Sequence, residues 1–531
     1  MPLRLLALLL LCAVTPTDAR AQDPPELRAV WVDAFHEGIR SPGEADELVA
    51  AARRAHLNTL IVQVRRRGDA LYTRGMEPPL DDPAYDPSFD ALAYVVDAAH
   101  RAGLEVHAWV NAMPVWRDET PPKDARHVFN QHGPSAPGEQ NWLTSSAAGE
   151  HKFAVGYFLD PGHPAAAAYL AEVYLTIVRN YAVDGIHFDY VRYPETDEQL
   201  PRGAGVGYNA TNLARFRRAT GRTDSPAPGD DEWMEWRREQ VTNLVRRVSV
   251  EARAINPKIK ISAALIPWGQ PPTNEREFET VAPMQRIFQN WHAWLKDGFL
   301  DLGIPMNYAS ETDDRVRGWF DGWIRWEKEH QHGRQLAVGL GAYRNTPAHT
   351  LAQIARARSD DGGHIAGVSF FSHAVPVLPA AVKPGTDLPA VPVSGSDRLA
   401  FLSHGVDSTP GAFARPAPVP SMPWMEHPDR GWIAGTVAAR EAGENDTVEV
   451  TIVRRRYWPF GNTTKVRTDG NGYFAAARLK PGRYEVSITG HPTTVGGPFT
   501  GRHGATQRFE LEVQAGRISR VFFQPPGSAP R

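Results

Sequence analysis

"DGIHFDYVRYP", residues 184–194, is the stretch whose reading decides the fold. From Gly185 it runs as a β-favouring segment of the kind found in strands covered on both faces, and then it ends in Asp189, Tyr190 and Arg192. Polar groups gathered at one end of a buried strand belong to a parallel sheet whose strand ends form a mouth. Working outward, the pattern recurs eight times between Leu27 and Ser372: "LRAVWVDAF" (27–35), "LNTLIVQVR" (57–65), "LEVHAWVN" (104–111), "GIHFDYVRY" (185–193), "KIKISAALI" (258–266), "LDLGIPMNY" (300–308), "RQLAVGLGAY" (334–343) and "IAGVSFFS" (365–372). Segments with helical spacing lie between them, among them Glu44 to Ala55 and Phe89 to Arg101, the latter stopped by Gly103. Eight strand–helix units predict an α/β fold, a (β/α)8 TIM barrel over residues 22–375.

Two features between the strands invite functional readings. Trp319, Trp323 and Trp326 fall at i, i+4 and i+7, the spacing of a helix face against a core, and are read as packing. The loop 112–157 is long enough to suggest a functional role. "GAGVGYN" (203–209) lacks the dinucleotide spacing and a preceding strand, and reads as a flexible loop.

Composition narrows the possibilities. The chain has 531 residues, 42% of them hydrophobic, with 58 basic and 61 acidic side chains, a net charge of −3 and no long basic run, so nucleic acid is not an expected partner. Arg4, the apolar run Leu5 to Val14 and Ala19-Arg20-Ala21 have the form of a signal peptide, residues 1–21, which predicts a periplasmic or extracellular protein beginning near Gln22. That apolar run is too short to span a membrane, and no later stretch is long enough either. The single cysteine, Cys12, falls inside that leader, so the mature chain would have neither disulfides nor thiolate metal ligands. The 19 histidines include no H-E-x-x-H, no strand ends in a Schiff-base lysine, and no metal or cofactor is expected.

Prolines crowd residues 376–428, read as a semi-extended linker in which "DRLAFLSHG" can still pack on the barrel. Residues 429–531 alternate short strands and turns, as in "GWIAGTV", "DTVEVTIV", "TDGNGYFAAARL", "PGRYEVSI" and "RISRVFFQ", and predict an all-β sandwich. Asp469 and Asn471 do not open a calcium loop, because Lys480 stands where the bidentate Glu belongs, and the segment is read as a hairpin turn.

At the predicted mouth stand Asp33 and His36 after the first strand, Gln63, Arg65, Asp69 and Tyr72 after the second, Trp109 and Asn111 at the third, His187, Asp189, Tyr190 and Arg192 at the fourth, Asn307 and Tyr308 at the sixth, and Tyr343 after the seventh. Trp116, Trp142 and Trp268 lie on mouth-side loops or strand ends, whereas Trp31 falls inside the first strand and is read as core. "RAVWVDAFHEG", "NTLIVQVRRRGDALY", "GLEVHAWVNAMP", "FLDPGHPAAAAYL", "DGIHFDYVRYP" and "WRREQVTNLV" together resemble the bacterial glycosyl-hydrolase-like family, type ten, formerly a domain of unknown function. The resemblance covers about 27–372. It implies an exported glycoside hydrolase acting on an N-acetylated glycan, in characterised envelope members peptidoglycan strands stripped of stem peptides. The tail is similar to carboxypeptidase regulatory-like or transthyretin-like sandwiches through "TDGNGYF" and "LKPGRYEV".

Glycosidic cleavage needs a proton for the leaving oxygen and negative charge near the anomeric carbon, jobs usually divided between two carboxyl groups. Asp189 is the first candidate and Asp33 the second, with Asp69, Glu37 and Asp160 behind it. Many family members carry two consecutive aspartates where this chain has Asp189 and Tyr190. That departure leaves open substrate assistance by an N-acetyl group, and also a non-catalytic glycan-binding protein. Gln63, Arg65, Asn111, Asn307 and Tyr343 suit hydrogen bonding to sugar groups. A storage or capsular polysaccharide is the remaining substrate alternative.

Overall fold

The computed structural model describes residues 23–196, 200, 202–378, 398–441, 443–455, 462–489 and 506–525. The leader expected at 1–21, with Cys12, lies outside them. Among the described residues no helix is long and apolar enough to cross a membrane.

The eight predicted runs each supply a strand: β1 Leu27–Val32, β2 Thr59–Arg65, β3 Glu105–Asn111, β4 Gly185–Asp189, β5 Lys260–Leu265, β6 Leu302–Pro305, β7 Gln335–Leu336 with Val338–Gly341, and β8 Gly367–Phe371. All pair in parallel in chain order, and β8 returns to β1 with Leu27 opposite Gly367. The two pieces of β7 flank Ala337; the first pairs with β6 and the second with β8, so the ring closes through this interrupted strand. Gly339 is required there, since a Cβ would lie 2.5 Å from Pro305 O and 3.0 Å from the Trp31 ring.

Strand alternation divides the core in two. Ala29, Trp31, Ile61, Trp109, Ala264, Leu302 and Ile304 fill the barrel interior, while Val30, Val32, Leu60, Val62 and Phe188 point outward against the helices. The helices carry the expected signals. Pro42–Arg54 starts with Pro at its first position and Ser41 as cap, the hydroxyl accepting the Glu44 N–H, and it buries Ala45, Leu48, Val49 and Ala52. Ala91–Arg101 is capped by Asp90. The loop after β3 builds a small antiparallel sheet, Pro114–Trp116, Gly156–Phe158 and Lys152–Phe153, over Trp116, Phe129 and Phe158.

The segment read as a linker departs from expectation. Residues 398–428 lie across the amino-terminal end of the barrel, burying Leu399, Phe401, Leu402, Phe413 and Met422. Their backbone is bonded to the barrel: Asp23 N–H to Pro416 O at 2.8 Å, Glu26 N–H to Pro418 O at 3.0 Å, and Asn58 Nδ2 to Ala417 O at 3.1 Å. Residues 379–397 lie outside those described. The "GAGVGYN" loop is also a packed element. Its residues are buried, and the carbonyls of Ala204 and Val206 accept from Arg237 Nη1 at 2.6 and 2.8 Å.

The carboxyl-terminal β domain has two sheets over a shared apolar core that includes Ile433, Val450, Phe474, Val486 and Phe523. One contains Tyr473–Leu479, Gly431–Val437 and Ile518–Phe523; the other contains Thr463–Arg467, Glu449–Arg454, Gly482–Ile488 and Gln507–Val513. The turn at Asp469 therefore connects strands of different sheets rather than a hairpin. Asp469 Oδ1 accepts the Asn471 and Tyr473 N–H groups, and Asn471 Nδ2 donates to Pro164 O of the barrel at 3.0 Å. A buried ion pair, Arg215 with Asp446 at 2.7 Å, ties the two domains together.

Candidate active site

The alternation that buries Trp31, Ile61 and His187 brings the next inward position on each strand to the mouth. A cleft of about 560 Å³ opens there, lined by Asp33, Gln63, Trp109, Asn111, Asp189, Tyr190, Arg192, Asn307 and Tyr308 among the expected residues. A larger hollow, about 930 Å³, lies between the barrel helices and the β domain, away from the strand ends.

Asp189 closes β4 with 7% of its surface exposed. Its Oδ1 accepts the Tyr190 N–H at 2.7 Å and its Oδ2 accepts Trp109 Nε1 at 3.1 Å. Burial nevertheless dominates over these donors and the Arg192 charge, and pushes its pKa up to about 6. Tyr190 turns the chain at φ 47°, a left-handed conformation that costs a residue with a Cβ about 1–2 kcal/mol. This turn lets the backbone N–H reach back to the carboxylate. Arg192 lies between aromatic faces, 4.6 Å from the Tyr190 centroid and 5.4 Å from Trp268, and pairs with Glu195 at 3.0 Å.

Asp33 has the opposite electrostatic setting. Burial alone would raise its pKa, but His36 Nδ1 at 2.7 Å and the Phe35 N–H at 3.0 Å favour the anion and hold it below the usual carboxylate value. Gln63 spends its Oε1 on the Ala34 N–H at 2.8 Å, which leaves Nε2 without a partner. Asn307 donates through Nδ2 to both oxygens of Glu327, at 2.9 and 3.1 Å. Asn307 Oδ1, like Gln63 Nε2 and Asp33 Oδ2, is buried without a hydrogen bond among the described residues. Three orphaned polar atoms around one cleft are what a polyhydroxylated ligand would satisfy.

Aromatic groups form the floor and walls. Trp31 is buried as expected, yet it lies on the cleft floor against Tyr308 and Phe371. Trp323 is buried with its indole N–H on Gly269 O at 2.9 Å though its edge reaches the cleft, and Trp326 stacks on His330; Trp319 is the half-exposed one, on the cleft wall. The packing expectation for that helix thus holds at two of its three tryptophans. Trp268 is in the wall as well. Trp116 and Trp142 are not; they pack within the 112–157 loop, Trp142 stacked on His132, and no residue of that loop lines the cleft.

Several residues expected to bind substrate have structural roles. Arg65 is wholly buried, its Nε on Glu77 at 2.8 Å and its Nη1 on the carbonyls of Asn111 and Ala112, so it braces the end of β3. Tyr169 donates to the same Glu77 at 2.7 Å, and Tyr72 is buried beside this network against Tyr181. Asp69 accepts from the Arg67 and Asp81 backbone and from Arg66, shaping its own loop. His187 shares the inward face with Asp189 but lies beneath the floor. Its Nε2 accepts Trp31 Nε1 at 3.1 Å and its Nδ1 meets Ser262 Oγ at 2.9 Å, and burial, with the nearby His107, keeps it neutral well below its ordinary pKa. Asn111 lines the cleft with its amide already engaged by Trp109 and Arg66 O. His36 stands behind Asp33, and Tyr343, in the turn after β7, packs edge-on to Tyr308 and Phe371.

Of the other acids considered, Glu37 is at the surface near Arg398. Asp160 is fixed by the Tyr193 hydroxyl and the Gly162 N–H away from the cleft. Burial pushes its pKa to about 6 too, so a raised carboxyl is not by itself a sign of catalysis. Among the described acids the cleft lining contains Asp33, Asp189 and Glu195. Glu327 escaped sequence reading because it lies on the helix Asp314–Glu329, where only its buried side of the helix would mark it. No group of His, Cys, Asp and Glu among the described residues is arranged to hold a metal ion.

The chain is 23% identical to glycosyl hydrolase YngK of Bacillus subtilis (strain 168), over 78% of this chain and 76% of YngK. It is 26% identical to glycosyl hydrolase DigH of Escherichia coli (strain K12), over 51% of this chain and 60% of DigH. Similar solved structures include the PgaB (BpsB) glycoside hydrolase domain from Bordetella bronchiseptica, at 15% identity and TM-score 0.48, covering 66% of this chain and 94% of that one. Another is the catalytic domain of the β-amylase from Paenibacillus polymyxa, at 12% identity and TM-score 0.46, covering 66% and 93%. The model of the glycosyl hydrolase-like 10 family matches residues 26–343, more than half of the sequence, and the chain belongs to that family.

Proposed function

We propose that the protein is an exported glycoside hydrolase that cleaves an N-acetylated bacterial glycan, peptidoglycan strands free of stem peptides being the substrate. The observation that carries this reading is the contrast between two carboxyl groups on one cleft: Asp189 held up to about 6 by burial, and Asp33 held down by His36 and the Phe35 N–H. A pair pushed apart in this way divides acid and base work at one pH. Asp189 protonates the departing glycosidic oxygen, and anionic Asp33 stabilises positive charge at the anomeric carbon or acts on the incoming water. Trp268 and Trp319 offer faces to the apolar side of pyranose rings, and Gln63 Nε2 and Asn307 Oδ1 offer a donor and an acceptor to hydroxyl and acetamido groups. The names of YngK and DigH support the same class of reaction.

The test is dye release from labelled, peptide-free glycan strands by the wild type, Asp189→Asn and Asp33→Asn. Turnover by the wild type and a loss of at least about a hundredfold in each variant is expected. Binding without turnover in all three proteins would instead identify a non-catalytic glycan-binding protein.

A further inference from the structure

A second groove lies at the other end of the barrel. It has a volume of about 720 Å³ and is lined by Asp301, which precedes β6, by Gly333 and Arg334, which precede β7, by Trp424 of the bottom strap, and by Trp432 and Arg517 of the β domain. These are amino ends of strands, so the whole height of the barrel separates this groove from the cleft.

Its charge is one-sided: six arginines, at 253, 334, 430, 478, 517 and 520, face two aspartates, at 301 and 429. Three of the six have carboxylate partners, Arg253 with Asp301 at 2.7 Å, Arg430 with Asp429 at 3.1 Å and Arg520 with Glu251 at 2.5 Å. Arg478 donates to the carbonyls of Lys296 and His332, which neutralises no charge. Arg334 is the most constrained. It is only 9% exposed, lies 4.7 Å from the Trp424 ring centroid and gives Nη1 to Gly333 O at 3.2 Å, and its Nε has no hydrogen-bond partner among the described residues. Burial, with Arg478 and Arg253 nearby and only Asp301 and Asp429 opposing, presses its pKa down to about 10. A guanidinium buried without a counter-ion is costly, and an incoming anion would offset that cost.

We propose that this groove binds an acidic segment of a glycan, its carboxylate or phosphate seated on Arg334 and its sugar rings against Trp424 and Trp432. Arginine next to indole faces suits a ligand that alternates anionic groups with pyranose rings. The site does not depend on the cleft being catalytic. It would hold an acidic polymer on the side of the molecule away from the cleft.

Isothermal titration of the full-length protein with oligogalacturonate, oligo(glycerol phosphate), chitotetraose and a ten-residue oligothymidylate tests the assignment. At least one acidic carbohydrate probe binds, more weakly as salt rises, and whichever of the two binds tighter identifies carboxylate or phosphate as the ligand group. Arg334→Gln lowers that affinity about tenfold and Arg517→Glu, an exposed change on the β domain, severalfold, while Asp189→Asn leaves it unchanged. No binding of either acidic probe, unchanged affinity in both arginine variants, or tightest binding of the oligothymidylate would overturn the proposal.

Discussion

Replacing Trp109 with Phe removes one N–H and leaves the ring. That indole hydrogen is shared between Asn111 Oδ1 at 2.9 Å and Asp189 Oδ2 at 3.1 Å. A hydrogen bond to a charged group contributes about 1.5–3 kcal/mol. Sharing leaves roughly half of that, about 0.7–1.5 kcal/mol, for the Asp189 anion. At about 1.4 kcal/mol per pH unit, losing it raises the Asp189 pKa by about half to one unit above its value of about 6. An acid catalyst works while protonated, so kcat/KM falls on the alkaline side as Asp189 ionises. Trp109→Phe therefore moves the alkaline limb upward by that amount and leaves the acid limb, which the proposed mechanism gives to Asp33 with its lowered pKa, where it was. The assay is kcat/KM on peptide-free glycan strands from pH 3 to 9. An alkaline limb that stays put or moves down, or one that persists in Asp189→Asn, would refute the assignment of Asp189 as the acid.

The same carboxyl affects stability. Its folded pKa is raised, so the folded state binds more protons between 3.8 and about 6, and stability falls as pH climbs through that window. Asp189→Asn is expected to stabilise the protein at pH 8 by up to about 3 kcal/mol and to give no gain near pH 3.5, as read from urea midpoints. Glu77→Ala leaves Arg65 buried without its counter-charge and is expected to cost about 3–5 kcal/mol in the same assay; a normal urea midpoint with a raised KM would mean that Arg65 binds substrate after all. Burial, which outweighs the Asn307 hydrogen bond, raises the Glu327 carboxyl well above the usual range, and Glu327 holds the Asn307 amide. Glu327→Leu is expected to raise KM severalfold with kcat nearly unchanged and Glu327→Gln to restore it, whereas equal defects in the two variants would mean a packing role only.

The barrel was legible because its strands are covered on both faces and read as mostly apolar runs, β1 and β2 the clearest of them. The mouth was legible because alternation carries Asp33, Gln63, Asn111 and Asp189 to the same inward edge. What was not legible depends on partners distant in sequence. Arg65 looks like a substrate ligand until Glu77 and Tyr169 close around it, and His187 until Trp31 and Ser262 do. Trp319 has the spacing of a core residue, but the helix that carries it leans over the cleft. Residues 398–428 have the proline content of a tether, yet Leu399, Phe413 and Met422, spaced without helix or strand periodicity, anchor them.

That docked segment shifts where the smallest self-sufficient piece of this protein ends. Asn58 at the foot of β2 and Arg28 in β1 wait for the carbonyls of Ala417 and Arg415, which leave the ribosome more than three hundred residues later. A fragment cut at residue 375 would contain every strand of the ring and still lack its base. Expression trials should therefore keep the chain through residue 428, and the early strands spend most of synthesis unfinished.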